Sequence, residues 1–164
     1  MNVLFQSRKT LYSVPGGDTT QIMKTKEYLE KLGIKVDVSL ELAPDVSEYD
    51  IVHVFNLMRP QELYLQVKNA KKYGKKVALS TIYGPYEEYE KKARGGILQV
   101  MNNLLSITQI EYLKGIARAV LNLEFNKGTA IYLLNGHKRL QKKIIKMVDV
   151  FLPNSDSEMV RVAK

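Results

Sequence analysis

Cysteine is absent from this 164-residue chain, and histidine occurs only at His53 and His137. Disulfide bonds, thiolate nucleophiles and cysteine-held metals are therefore excluded, and two histidines argue against a metal site. Long hydrophobic runs are missing at the N-terminus, where MNVLFQSRKTLYS reaches a basic pair after a few apolar residues. This segment fits neither a signal peptide nor a membrane span of about 20 residues, so the sequence predicts a cytoplasmic protein.

Two phosphate-binding motifs are also missing. A dinucleotide fingerprint needs G-x-G-x-x-G directly after a strand and a P-loop needs G-K-[ST], but SRKTLYSVPGGDTT contains neither. Glu41 is placed like the acid that binds an NAD ribose, yet this role is disfavoured without the glycine fingerprint. A complete small nucleotide-binding protein is disfavoured for the same reason, and no cofactor is predicted.

The composition is that of a folded protein of about one domain, with 45% apolar and 26% charged residues. Its net charge of +8 is unevenly distributed. Residues 1–90 carry 12 basic and 12 acidic side chains, whereas residues 91–164 carry 13 basic and 5 acidic ones. This asymmetry predicts an anionic partner for the second half: lipid headgroups, nucleic acid or a phosphorylated substrate.

Strand and helix patterns alternate in the first half of the chain. Strands separated by helices form right-handed βαβ units, and therefore a parallel sheet covered on both faces. The sequence predicts an α/β fold with a Rossmann-like, doubly wound, mostly parallel sheet. The predicted strands cover residues 2–7, 34–40, 50–55 and 76–80, and the predicted helices cover residues 20–32 and 60–73.

The second half is predicted to be rich in helix. An apolar-periodic stretch covers residues 97–123, with a break near residues 106–108. Residues 149–152 predict a return to the sheet. Ser155 followed by Glu158 predicts a capping box that opens a last helix of about two turns.

Residues 137–148 form an amphipathic pattern. Steps of 100° place Leu140, Ile144, Met147 and Val148 on one face of a helix. The opposite face carries basic side chains, namely Lys138, Arg139, Lys142, Lys143 and Lys146.

Several short segments together carry a family resemblance. They are residues 15–19 (PGGDT), 32–38 (LGIKVDV), 49–56 (YDIVHVFN), 75–86 (KKVALSTIYGPY) and 148–162 (VDVFLPNSDSEMVRV). The last four are similar to the motifs G-x-x-V, D-(I/V)-(I/V)-H-x-H, K-x-V-x-T-x-H-G and aD-x-(V/I)-x-x-x-S. In this order and spacing they resemble the N-terminal domain of family-4-type retaining glycosyltransferases with the GT-B fold.

The chain departs from this family at three positions. Phe55 and Tyr83 stand where the motifs have histidine, and Gln21 stands where many relatives have one. Phe55 cannot hydrogen-bond through its side chain, whereas Tyr83 and Gln21 can.

The resemblance implies a division of labour between two domains. The C-terminal domain of this fold holds the nucleotide sugar through a Glu-x7-Glu pattern and a basic pair, and the N-terminal domain binds the acceptor. No two glutamates of this chain are eight residues apart. Residues 1–164 are therefore expected to be a single acceptor-side domain of a glycosyltransferase, without the donor domain and inactive alone. The acceptor would be a glycan or a lipid-linked glycan.

The resemblance also implies the site residues. Gly16, Gly17 and Asp18 would form a cleft loop facing the donor phosphates, although Pro-Gly-Gly is also common turn chemistry. Within an apolar strand, a histidine is also typical of the core, and tyrosines at a strand end either stack on a sugar or cover the cleft wall. The candidates for acceptor binding are Gln21, His53, Asn56, Tyr83, Gly84 and Tyr86.

The basic helix has more than one interpretation. Lysines on a solvated helix face need no partner. Alternatively, they attach the protein to an anionic membrane, peripherally at its inner face, or capture a lipid-phosphate-linked acceptor. Nucleic acid is disfavoured, because aromatic residues do not alternate with the basic ones over residues 138–146.

Overall fold

The structure, a computed structural model, describes residues 1–83, 106–121 and 126–163. The strands along these residues are β1 (Asn2–Gln6), β2 (Lys35–Ser39), β3 (Ile51–Phe55), β4 (Lys76–Ser80) and β5 (Val150–Leu152). The helices are α1 (Gly17–Lys31), α2 (Pro60–Lys72), α3 (Ile107–Leu121), α4 (Lys127–Asn135), α5 (His137–Ile145) and α6 (Asp156–Val162). Each predicted strand is confirmed to within one residue at either end.

The five strands form one parallel sheet in the order β2-β1-β3-β4-β5. The predicted α/β, Rossmann-like, parallel fold is confirmed. The chain first adds β2 beside β1 and then continues on the other side of β1, so the order reverses between β1 and β3. In open parallel sheets, ligands bind at the carboxyl ends of the strands near such a reversal.

Helices cover both faces of the sheet, because alternate side chains of each strand point to opposite sides. On one face Leu4, Val54 and Leu79 belong to a buried cluster that includes Tyr132 of α4 and Ile144 of α5. On the other face, Phe5 and Phe55 pack in a second cluster with Ile22 of α1. The two layers hold the loops at the carboxyl edge of the sheet.

Local hydrogen bonds explain where several helices begin. The structure starts α1 at Gly17, three residues earlier than predicted, because Gly16 is extended and its N–H donates to Oγ1 of Thr19 over 3.0 Å. Helix α3 begins at the predicted break. There Ser106 N–H donates to Oε1 of Gln109 at 2.8 Å, and Gln109 N–H donates to Oγ of Ser106 at 3.4 Å. Residues 97–105, 122 and 123 of the predicted stretch lie outside the described residues.

Two expectations for the C-terminal helices need correction. The helix predicted over residues 137–148 ends at Ile145, and Met147 N–H donates to the Ile144 carbonyl in a closing turn. The predicted capping box forms only in part. Ser155 Oγ accepts from Glu158 N–H at 3.2 Å, but the Glu158 carboxylate accepts from Asn154 N–H and from residues after β4. Glu158 therefore ties two strand ends together.

Along residues 1–83, 106–121 and 126–163, no helix combines the length and the hydropathy needed to cross a membrane.

Candidate functional site

Side chains from the ends of β1 and β3 meet in what we call the polar crevice, formed around Arg8, Asp18 and Asn56. Arg8 follows β1, Asp18 lies in the first turn of α1, and Asn56 follows β3. The guanidinium of Arg8 donates to both carboxylate oxygens of Asp18, over 2.8 Å from Nε and 3.0 Å from Nη2. It also donates to the carbonyls of Thr10 and Val14, so one buried arginine organises the whole loop.

The Asp18 carboxylate is held in its charged form. Burial alone raises its pKa, but hydrogen bonds and charge attraction from Arg8, with further hydrogen bonds from Asn56 and Thr19, bring the pKa below its usual value. The side chains of Arg8 and Asp18 are only 6% and 11% exposed, so the pair is shielded from water. Arg8 and Asp18 consequently neutralise each other within the crevice, which Arg59 and Glu62 also line.

Little space remains in the polar crevice. Its free volume is about 10 Å³, which is about the room for one water molecule. Asn56 adopts a left-handed backbone conformation with φ of 73°, which asparagine tolerates better than most residues. This turns its side chain so that Nδ2 donates to Asp18 at 3.3 Å while Oδ1 accepts from Met58 N–H at 3.1 Å.

The glycine loop before α1 is partly engaged by its own chain. The N–H of Gly16 is bonded to Thr19, and Oδ1 of Asp18 accepts from Thr19 N–H at 2.9 Å. A carboxylate therefore already occupies the positive end of α1. The space beside Gly17 is open, because a Cβ placed there would meet no atom within 4 Å.

Two further candidates are bonded within the protein. Gln21 forms a reciprocal amide pair with Asn154 after β5, with distances of 2.7 Å and 3.4 Å. His53 is buried, stacks on Phe55 with ring centroids 4.2 Å apart and shares a hydrogen bond of 2.9 Å with Oγ of Ser80. Burial lowers the pKa of His53 to about 4, so the ring is neutral at pH 7.

A second concave site opens between α5 and α6, beyond the carboxyl ends of β3 and β4. We call it the basic groove, and its volume is about 280 Å³. Apolar groups from Leu57, Ile145 and Val162 contribute to its lining. Tyr83 lies here too, while Gly84 and Tyr86 lie outside the described residues. The cationic lining residues are Lys138, Lys142, Lys146 and Arg161.

The five basic residues predicted on one helix face are all exposed, but the structure divides them into two groups. Lys138, Lys142 and Lys146 recur every four residues and line the groove. Arg139 and Lys143 do not line it, and Nζ of Lys143 donates to Oδ1 of Asn135 at 2.5 Å. The helical periodicity predicted the basic face of α5, but only three of its five basic residues line the groove.

Glu158 supports one end of this groove. Its carboxylate accepts hydrogen bonds from Thr81 Oγ1, from Tyr83 N–H at 2.7 Å and from Asn154 N–H at 3.0 Å. Burial raises its pKa, but these hydrogen bonds and the charge of Arg161 outweigh burial and lower the pKa overall. Glu158 thereby fixes the loop after β4 against the start of α6.

Sequence reasoning missed several residues of these sites, among them Arg8, Glu158 as a tie between strand ends, and Arg161. Arg8 gave one signal, because it directly follows a predicted strand that ends at Ser7. Arg161 gave none, since its contribution depends on how α6 packs beside α5.

The geometry defines a class, namely an α/β protein with a parallel sheet, a closed polar crevice and an open basic groove at the carboxyl edge. No known protein-family model matches this chain, and no curated protein is significantly similar to it in sequence.

Proposed function

We propose that this chain is the acceptor-binding domain of a retaining glycosyltransferase of the GT-B fold. It would act in glycan or polysaccharide biosynthesis, where a sugar passes from a nucleotide sugar to a glycan or lipid-linked acceptor. The observation that carries the proposal is the position of the basic groove at the carboxyl edge of the sheet. Among the segments that resemble the family, residues 15–19, 49–56 and 75–83 reach this same edge of the sheet.

The polar crevice supports the proposal that sugar transfer requires a second domain. A departing nucleoside diphosphate needs positive charge close to its oxygens. Arg8 lies in the right region but is committed to Asp18, with which it forms two hydrogen bonds. The chain would therefore bind an acceptor while the donor domain supplies the charge that stabilises the leaving group. On this proposal the chain alone transfers no sugar.

The test is a titration of the ¹⁵N-labelled chain followed by NMR. We expect an acceptor analogue with a diphosphate to shift the backbone resonances of Asn56, Tyr83 and Lys142, at the carboxyl edge. UDP-glucose or GDP-mannose at the same concentration should leave the spectrum unchanged. Saturable binding of either nucleotide sugar, or its turnover by the chain alone, would overturn the proposal.

A second candidate, a basic module that binds an anionic membrane or nucleic acid, follows from the exposed lysines of α5. Sedimentation with phosphatidylglycerol vesicles, compared with phosphatidylcholine vesicles, tests a peripheral position at the inner face of a membrane. Binding to arbitrary duplex DNA with a steep salt dependence would favour nucleic acid instead. Binding in either assay that persists when Lys138, Lys142 and Lys143 are changed to Glu would exclude α5 as the binding surface.

A further inference from the structure

Cationic side chains dominate the basic groove. Lys138, Lys142 and Lys146 line one wall, and Arg161 lies on the other. No aspartate or glutamate is among the described residues that line it. Elsewhere in the chain lysines are commonly paired, as Lys26 is with Glu30. Within the part of the chain that the structure describes, the three groove lysines make no ion pair, so like charges converge without compensation.

Arg161 adds a second, independent observation. Its Nε is buried and has no hydrogen-bond acceptor among the described residues. Its Nη2 is 3.5 Å from Oγ of Ser157, a long contact, and the nearby Glu158 is already bonded to Thr81, Tyr83 and Asn154. Buried polar groups in proteins are nearly always satisfied. Arg161 therefore lines the groove with hydrogen-bonding capacity that the described residues leave unused.

Apart from Gln141, the rest of the described lining is apolar or aromatic. Leu57, Ile145 and Val162 contribute hydrocarbon surface, and Tyr83 contributes an aromatic residue. The volume of about 280 Å³ lies just below the range for small-molecule sites, roughly 300–1,000 Å³. The groove thus has room for one charged head group with a short apolar segment.

We propose that the basic groove binds a phosphate monoester or diphosphate that is joined to an apolar group. Lys138, Lys142, Lys146 and Arg161 donate to the phosphate oxygens, and Leu57, Ile145 and Val162 contact the apolar part. This inference rests on the proposed function in one respect, namely that the bound molecule is the phosphorylated end of the acceptor. The binding chemistry is independent of that role.

The experiment is isothermal titration calorimetry of the full chain with chemically defined probes. Geranyl diphosphate carries both parts of the proposed ligand, inorganic pyrophosphate carries only the charge, and geraniol carries only the apolar part. Vesicles of phosphatidylcholine with and without phosphatidic acid present the phosphate monoester on a lipid surface. We expect geranyl diphosphate to bind and geraniol to give no binding.

The helix itself offers a matched control. K142Q/K146Q removes two charges from the groove, whereas R139Q/K143Q removes two exposed charges of the same helix that do not line it. We expect the first pair to weaken geranyl diphosphate binding at least about tenfold, because charge-assisted hydrogen bonds are lost. The second pair should change the affinity by less than about threefold, through long-range electrostatics alone. Melting curves confirm that both variants are folded.

The outcomes separate the possible sources of the phosphate. Tighter binding of geranyl diphosphate than of pyrophosphate supports a lipid-linked ligand. Equal binding overturns the apolar half of the proposal and leaves a groove that recognises free phosphate groups alone. Vesicle binding that needs phosphatidic acid and is lost in K142Q/K146Q supports the membrane source. Equal loss of affinity in both variant pairs, or no binding of any probe, overturns the proposal. Binding of UDP-glucose would overturn the proposed function but not the proposed phosphate site in the groove, so the two proposals can fail separately.

Discussion

The polar crevice and the basic groove lie at the same edge of the same sheet, yet they treat charge in opposite ways. In the crevice, Arg8 and Asp18 are shielded from water and hydrogen-bonded to each other, and about 10 Å³ of free volume remains. In the groove, Lys142 and its cationic neighbours surround about 280 Å³ without an acidic residue among the described lining. A cationic side chain is available to bind a ligand only where no acidic group of the protein is already paired with it.

This difference predicts that substitutions in the crevice change the free energy of unfolding much more than substitutions in the groove. Removing one member of a buried, hydrogen-bonded ion pair leaves the other charge without compensation, which is costly. Removing an exposed charge beside like charges costs little, because water solvates the side chain in both the folded and the unfolded state. The crevice therefore contributes mainly to the fold, and the groove contributes mainly to recognition.

The largest expected effect is in the crevice. We expect R8M to lower the free energy of unfolding by about 3–5 kcal/mol, because Asp18 then keeps a buried charge without its partner. Urea denaturation followed by circular dichroism measures this loss. In the double variant R8M/D18M neither charge remains, so the part of the loss that comes from the unpaired Asp18 charge should be recovered. The hydrogen bonds from Arg8 to the Thr10 and Val14 carbonyls stay lost. A loss below about 1 kcal/mol in R8M would show that the pair is solvated and the crevice open.

His53 lies in β3, and its burial predicts a pH dependence. Its pKa is about 4 in the folded protein against an ordinary value of 6.5. Between these values the unfolded chain binds a proton that the folded protein does not, so stability falls as the pH is lowered from about 6.5 to about 4. The loss approaches about 3 kcal/mol at pH 4.

The measurement is the unfolding free energy of the protein and of H53Q at several pH values. Glutamine can keep a hydrogen bond to Ser80 but does not titrate in this range. Carboxylates with lowered pKa values, such as Asp18 and Glu158, lose stabilisation in both proteins at acidic pH and cancel in the difference. Identical slopes for the two proteins between pH 6.5 and pH 4.5 would mean that His53 titrates normally and is not buried.

Sequence reasoning predicted most of the fold, because most elements have a local signal. Helix α4, which lies where Gly128 and Gly136 interrupt the pattern, was not predicted as a separate helix. The apolar run of β3 and the proline at the start of α2 predict a strand and a helix from neighbouring residues alone. The basic face of α5 is equally local, since it follows from a 100° step. These features need no knowledge of distant contacts.

The site was predicted less completely, because pairing is not local. Nothing in the sequence indicates that Arg8 reaches Asp18 ten residues away, or that Gln21 reaches Asn154 at the far end of the chain. The groove likewise depends on the packing of α6 beside α5, which selects Lys142 and leaves out Lys143. Charge counts predicted an anionic partner, but only contacts show which charges are available to it.

Two glycines sharpen the comparison further, one beside the crevice and one in α4, the helix that precedes the groove helix α5. A Cβ on Gly128 in α4 would lie 2.2 Å from the backbone carbonyl oxygen of Gln61 in α2, so G128A must push the two helices apart. We expect a loss of about 1–3 kcal/mol in the unfolding free energy. Because α4 leads directly into α5, diphosphate binding in the groove should weaken as well.

The matched control is G17A beside the crevice. No atom lies within 4 Å of the added Cβ, so its stability should change by less than about 1 kcal/mol, the intrinsic difference between glycine and alanine in a helix. Equal losses in G128A and G17A would show that the close approach of α4 to α2 does not constrain the groove.

The smallest expected effect has the opposite sign. Lys142 lies four residues from both Lys138 and Lys146 on one helix face, and like charges at this spacing destabilise a helix by roughly 0.2–0.5 kcal/mol per pair. K142Q should therefore raise the unfolding free energy by about 0.5 kcal/mol at low salt, and the gain should shrink as salt screens the charges. Lys31, paired with Glu27 at 2.7 Å in α1, is the control, and K31Q should lower stability instead of raising it. If K142Q is more stable but binds diphosphate more weakly, Lys142 serves ligand binding and not the stability of the fold. If K142Q lowers stability instead, Lys142 is compensated within the protein and the groove does not differ from the crevice in the way proposed.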